Sequence, residues 1–243
     1  MKTLKHFFIF AFAFSVATID SCRKDNLSGP FAITPHDFLA SKKYDKLELE
    51  IVYVEGYRPE QATVDHLQNF LSERINKSGG ISVIYKSIVS PNKGSYTLDD
   101  IKKIEKNERE NYSRGNRISA FIFFADGHYS DPNILGSAYG STSMVIFERT
   151  LQENSGGFGQ ISRFVLEATA CEHEFGHILG LVDNGTKMVT AHMDGSHEKH
   201  CSNQNCLMYY AVETTDILSN LSPNTVPTLD ENCINDLRAN GGK

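Results

Sequence analysis

The chain has 243 residues, with 24 basic and 30 acidic side chains and a formal net charge of −6. That sign argues against nucleic acid as a partner, because phosphate binding needs concentrated Lys and Arg. With 40% hydrophobic residues, 15 Phe and 10 Tyr, the composition is that of a globular protein with a sizeable core, and it shows no repeats or low-complexity tracts.

The first segment stands outside that core. Lys2 and Lys5 precede an apolar run, FFIFAFAFSVA at 7–17, which is too short to span a bilayer and fits the core of a signal peptide. Residues 1–21 are expected to be removed on export. The run ends in IDSC, which resembles a bacterial lipobox with Cys22 as the lipidated first residue, although Asp20 stands where a small residue is usual. Loss of Lys2, Lys5 and Asp20 leaves 22 basic and 29 acidic side chains, a net charge of −7. The expectation is a monomer in the cell envelope, anchored through its lipid alone, or else secreted.

Residues 22–44 contain Gly29, Pro30 and Pro35 and no clear period, so they read as a tether. KLELEIVYVEG, 46–56, alternates as a strand and ends at a glycine. Pro59 opens a helix whose apolar positions Val64, Leu67, Phe70, Leu71 and Ile75 follow a 3.6-residue period up to Gly79 and Gly80. ISVIYKSIV, 81–89, is a second strand. Residues 97–115 begin with Thr97 and early acids and carry too many charges for burial all round, which predicts an exposed helix stopping at Gly115. RISAFIFFADG, 117–127, is nearly continuous apolar sequence and reads as a central strand buried on both faces. LGSAYGSTSMVIF, 135–147, is small and polar before its strand-like end, as suits an edge strand beside a cleft. A long helix follows from about Ser162 to Leu181, and LDENCINDLRANGG, from Leu229, reads as a final helix closed by glycine. This order predicts a mixed α/β (α+β) sheet with helices packed on it. One domain at 45–243 has an upper part at 45–182 and an irregular lower part at 183–243.

The long helix contains ACEHEFGHILG, 170–180. Residues i and i+4 share a helix face, so the imidazoles of His173 and His177 can converge on one metal ion, most naturally zinc. Two imidazoles leave a tetrahedral ion needing one more protein ligand, with the fourth position open for water. Glu174, offset around the helix, can then act as the base that takes a proton from that water. Metal-assisted hydrolysis is the reaction class this predicts.

HEFGHILGLVD resembles the metzincin pattern HExxHxxGxxH, in which a glycine lets the chain turn below the metal. Gly180 stands at that place, and CLMYY offers Met208 for the methionine turn of the family. The resemblance implies a zinc metalloendopeptidase acting on a protein or peptide substrate. Asp183 stands where the family has its third histidine, as in snapalysin-like members. HCSNQNCLM instead resembles archaemetzincins in the interval to the methionine, which makes His200 the third ligand and 184–199 an insertion looping outward. Both assignments stay open, and His192 and His197 read as solvated loop residues. Archaemetzincins hold a further metal through a downstream CxxC, where this chain has Cys233 alone. Tyr210, two residues after Met208, resembles the tyrosine that supports the oxyanion in astacin-like members. Besides Cys22 there are four cysteines, and in an exported protein these predict two disulfides, Cys201 with Cys206 and Cys171 with Cys233. The alternative to an enzyme is a cell-surface binding lipoprotein with a structural zinc site.

Overall fold

The computed structural model describes residues 32–219, 221–222 and 224–243. The expected signal segment, the lipobox and Cys22 lie outside the described residues. The described body, from Ile33 to Lys243, is built on a five-stranded sheet. Its strands are β1 (Lys46–Val54), β2 (Ile81–Ile88), β4 (Arg117–Phe124), β6 (Gly136–Tyr139) and β7 (Ser143–Ile146), in the order β2-β1-β4-β7-β6. β1, β2, β4 and β7 run parallel, and β6 returns antiparallel as the edge, with Ala138 opposite Met144. A small pair, β3 (Ser95–Tyr96) and β5 (His128–Tyr129), lies apart from this sheet.

Alternation along the strands fills two cores, as a sheet covered on both faces requires. Leu49, Ile51, Ala120, Ile122 and Met144 face α2 (Gln61–Arg74) and α5 (Arg163–Ile178). Val52, Phe121, Phe123, Val145 and Phe147 face the other way, with Ile101 of α3 (Leu98–Glu108). β4 is the central strand, as its apolar run predicts. The stretch expected as one edge strand is a hairpin instead: GSAY forms the edge, and the apolar SMVI lies inside it between β4 and β6.

Two further expectations are corrected. α3 stops at Glu108 rather than Gly115, because the Glu50 carboxylate takes the backbone N–H groups of Glu110 and Asn111 at 2.7 and 2.8 Å and pulls the chain out of the helix. Residues 35–44 belong to the body and not to a tether. Thr34 and Asp37 form a reciprocal cap on α1 (Pro35–Leu39), Phe38 meets Phe175 edge-on at 6.0 Å, and the buried Lys77 ammonium donates to the carbonyls of Asp37, Ala40 and Tyr44. α4 (Glu148–Glu153) precedes α5, and after two 3₁₀ turns, Tyr210–Glu213 and Thr215–Ser219, the chain closes with α6 (Glu231–Ala239). Among the described residues no helix is long and apolar enough to cross a membrane.

Candidate metal centre

α5 is buried on nearly every side, so its polar residues must be satisfied inside the protein. Ser162 caps its start by accepting from the N–H of Val165. Its end is a Schellman turn: Leu181 N–H bonds Gly176 O and Gly180 N–H bonds His177 O, with Gly180 at φ +76°. A side chain at Gly180 would lie 2.6 Å from Pro35 Cγ and 2.7 Å from Thr186 N, so the glycine serves both backbone conformation and close packing.

Beyond the turn, the chain loops out and comes back. Asp194 N–H bonds His200 O and Ser202 N–H bonds His192 O, a short antiparallel pairing that carries His200 back to α5. One donor atom from each of His173, His177, His200 and Glu213 lies within 4.8 Å of all the others. Asp183 is exposed and left-handed at φ 61°, and does not join this group. Tyr210 stacks flat on His197 at 3.5 Å between ring centres and tilts against Tyr209.

The group fits a tetrahedral ion. His173 and His177 Nε2 are 3.1 Å apart, and Glu213 Oε1 lies 3.8, 3.3 and 3.2 Å from Nε2 of His173, His177 and His200. A regular tetrahedron with bonds of about 2.0 Å, the length zinc makes to nitrogen and oxygen, has edges of about 3.3 Å. His200 Nε2 is buried and finds no hydrogen bond of good geometry; it faces the centre of the group rather than a partner. Nδ1–H of His173 donates to Leu207 O at 2.7 Å and that of His200 to Glu198 O at 3.0 Å, which turns each Nε2 lone pair inward. Burial pushes His177 down to about 4, against the pull of Glu213, so it is neutral at pH 7, the form that binds metal. Burial alone would raise Glu213, but the three imidazoles outweigh it and hold the carboxyl well below the usual range.

Glu174 is fully buried beside this group. Its Oε2 accepts from Ala138 N–H of edge strand β6 at 2.6 Å, and a side chain at Gly136 would lie 2.8 Å from its Cγ. Burial, then the nearby charge of Glu213, push its carboxyl well up, a shift that a divalent cation would oppose. On the opposite side Met208 lies under the helix, its Sδ 2.4 Å from where a side chain at Gly176 would begin.

The cysteines correct the disulfide expectation, since all four are free thiols. Cys171 is buried alone in α5, with burial raising its thiol. The others meet in a second group: donor atoms of His192, Cys201, Asp230 and Cys233 lie within 4.8 Å of one another, and Cys206 Sγ is 3.7 Å from Cys233 Sγ. His192 Nδ1 is 3.4 Å from Cys201 Sγ, and its Nε2 is fixed by Asp236 at 2.8 Å. Backbone N–H groups of Met208 and Asp230 point at Cys206 Sγ, and S–H donors from Cys201 and then Cys233 bring its thiol down to about 4. Two sulfurs, an imidazole and a carboxylate, with the Cys206 sulfur beside Cys233, are donors that suit structural zinc. Asp230, three residues before Cys233, is also the cap of α6. His192, expected as a solvated loop residue, is buried here.

No family model matches this chain, and no curated protein matches it in sequence. Among solved structures, archaemetzincin from Methanopyrus kandleri is similar, with a TM-score of 0.54 and 17% identity over 81% of this chain and 96% of that one. Metalloproteinase-II from Bacteroides fragilis aligns with a TM-score of 0.47 and 15% identity over 83% of this chain and 54% of its own. At such identities the likeness to archaemetzincin is one of fold: a mostly parallel mixed sheet with helices.

Proposed function

We propose that the chain is an exported, lipid-anchored or secreted zinc metalloendopeptidase of metzincin type, with His173, His177 and His200 as ligands and Glu174 as general base. The observation that carries this reading is the convergence of three imidazoles beside a buried carboxylate of α5 that an edge strand holds. Bound there, zinc supplies a Lewis acid that brings the pKa of water toward about 7. Glu174, steadied through Oε2 by Ala138 N–H, has Oε1 to accept the proton, and its burial favours holding that proton until it passes to the leaving amine. β6 pairs with β7 along one side; on the other its Ala138 N–H is taken by Glu174, and we assign an extended peptide to the rest of that edge. Tyr210 lines a cavity of about 530 Å³ with Tyr209, Thr215 and Leu218, and we assign it the support of the oxyanion after it leaves its stack on His197. We also assign a second, structural zinc to His192, Cys201, Cys206 and Cys233.

One observation favours a second reading, a cell-surface binding protein with a non-catalytic zinc: Glu213 stands at the corner that a catalytic site leaves open. Digestion of a peptide library by the chain from Cys22 onward tests the first reading. Cleavage that a chelator stops and zinc restores is expected, and a library left intact under zinc excludes a peptidase.

A further inference from the structure

We propose that Glu213 is a fourth protein ligand of the metal held by His173, His177 and His200, so that the centre is closed at rest and opens when this carboxylate swings away. The inference rests on the metal assignment under the proposed function and adds its regulation. Three separations, 3.8, 3.3 and 3.2 Å, put Oε1 of Glu213 at the fourth corner of a tetrahedron whose other corners are imidazole nitrogens. A carboxylate oxygen is a good zinc ligand, and a four-protein-ligand set is the mark of a closed site.

The mounting of Glu213 suits a ligand that can leave. Its main chain is fixed: Leu135 N–H donates to Glu213 O at 2.8 Å and Thr215 N–H to Asn133 O at 2.9 Å. Its side chain is 31% exposed, whereas those of His173 and His177 are 0% and 8% exposed. The imidazoles are thus packed in place, while the carboxylate has water on one side and can exchange by rotating its own side chain. When it leaves, the corner it vacates becomes available to water or a substrate carbonyl, and the charge held around the ion becomes one unit more positive. Both changes favour hydrolysis. The segment that holds the Glu213 carbonyl, Asn133–Leu135, runs directly into edge strand β6, so a peptide added at that edge lies against the same backbone that positions Glu213.

The test compares the full exported chain with its Glu213→Ala and Glu213→Gln variants. Zinc affinity of the centre is measured against a chromogenic chelator, azide affinity by its effect on the visible spectrum of the cobalt(II)-substituted protein, and turnover on a peptide. Circular dichroism checks the fold, and Gln, which keeps the shape, serves if Ala unfolds. The expected result is zinc binding weaker by ~10-fold or more, at least what loss of an outer partner costs, together with azide binding ~10-fold tighter and faster peptide turnover. Unchanged zinc and azide affinities overturn the proposal, as does weaker zinc binding without easier azide entry. If zinc and azide respond as expected while no variant cuts any peptide, Glu213 closes the centre as proposed and the peptidase reading is what fails.

Discussion

Nδ1 of His173 lies 2.7 Å from the carbonyl oxygen of Leu207. The first histidine of the helix is therefore oriented by the residue preceding Met208, on a loop 34 positions further along the chain. That loop is itself held by Cys201 N–H on Met208 O and Leu207 N–H on Thr228 O.

Replacing Glu174 with Gln preserves shape and removes the proton acceptor. Zinc content measured by elemental analysis should stay at the wild-type level while peptide turnover falls on the order of a thousandfold or more. Turnover near wild type excludes Glu174 as the base.

His200→Ala and Asp183→Asn separate the two candidate third ligands. Because Asp183 is exposed and outside the group, its variant should bind zinc as the wild type does. His200→Ala should lose more than the ~100-fold that removing an outer partner costs. Metal titration of both variants checks this, and a reversed order rejects the His200 assignment.

The second group predicts two zinc ions per chain and no disulfide. Native mass spectrometry should show both ions, and thiols of Cys201, Cys206 and Cys233 should react with a disulfide reagent only after chelation. His192→Ala should cost one zinc. It should also loosen the other centre, because Cys201 adjoins His200 and the Cys206 sulfur holds Met208 N–H.

Gly180→Ala forces a side chain into a left-handed position against Pro35 and Thr186. We expect a loss of about 1–3 kcal/mol in denaturant unfolding, with the zinc of the centre lost at lower denaturant than in wild type.

Stability should fall with pH through Glu148. Burial pushes its carboxyl up to about 9, with Glu167 adding to the effect and Arg163 opposing it. The folded chain holds a proton that the unfolded chain releases above about 4.5, so this contribution is complete below that pH and gone above about 9. The slope between is at most about 1.4 kcal/mol per pH unit. From pH 5.5 to 8 the unfolding midpoint of Glu148→Gln should fall less than that of the wild type at equal zinc, and parallel midpoints refute the assignment.

Much of this was legible in the sequence because it is local. A 3.6-residue period announces α2, an unbroken apolar run announces β4, and i, i+4 histidines followed by Gly180 announce the helix of the centre and its turn. What joins distant segments was not. The helical period of α3 cannot show that Glu50, sixty residues earlier, removes the N–H groups the helix needs. Nothing near Glu213 marks it as facing three histidines, and Ala138 contributes only a backbone N–H, which any residue has. His192 lies in a stretch without period, and its burial follows from Asp236 and Cys201, which only the fold brings to it. The four cysteines misled because an even number in an exported chain suits two disulfides and a metal cluster plus one inert buried thiol equally well.

The two glycine contacts on α5 have a consequence for motion. Gly136 lets the edge strand rest directly on Glu174, and Gly176 lets Met208 rest directly on the other flank of the same helix. At each contact bare backbone meets a side chain, Glu174 against β6 and Met208 against α5, so sliding or rolling the helix would drive these side chains into backbone and α5 is the better-held part of the centre. His173, Glu174 and His177 are the stationary half. Breathing that admits a large ligand then falls to the loop bearing His200 and to the side chain of Glu213, whose main chain is tied to residues 133–135, so amide exchange should be slow throughout α5 and faster across residues 184–199.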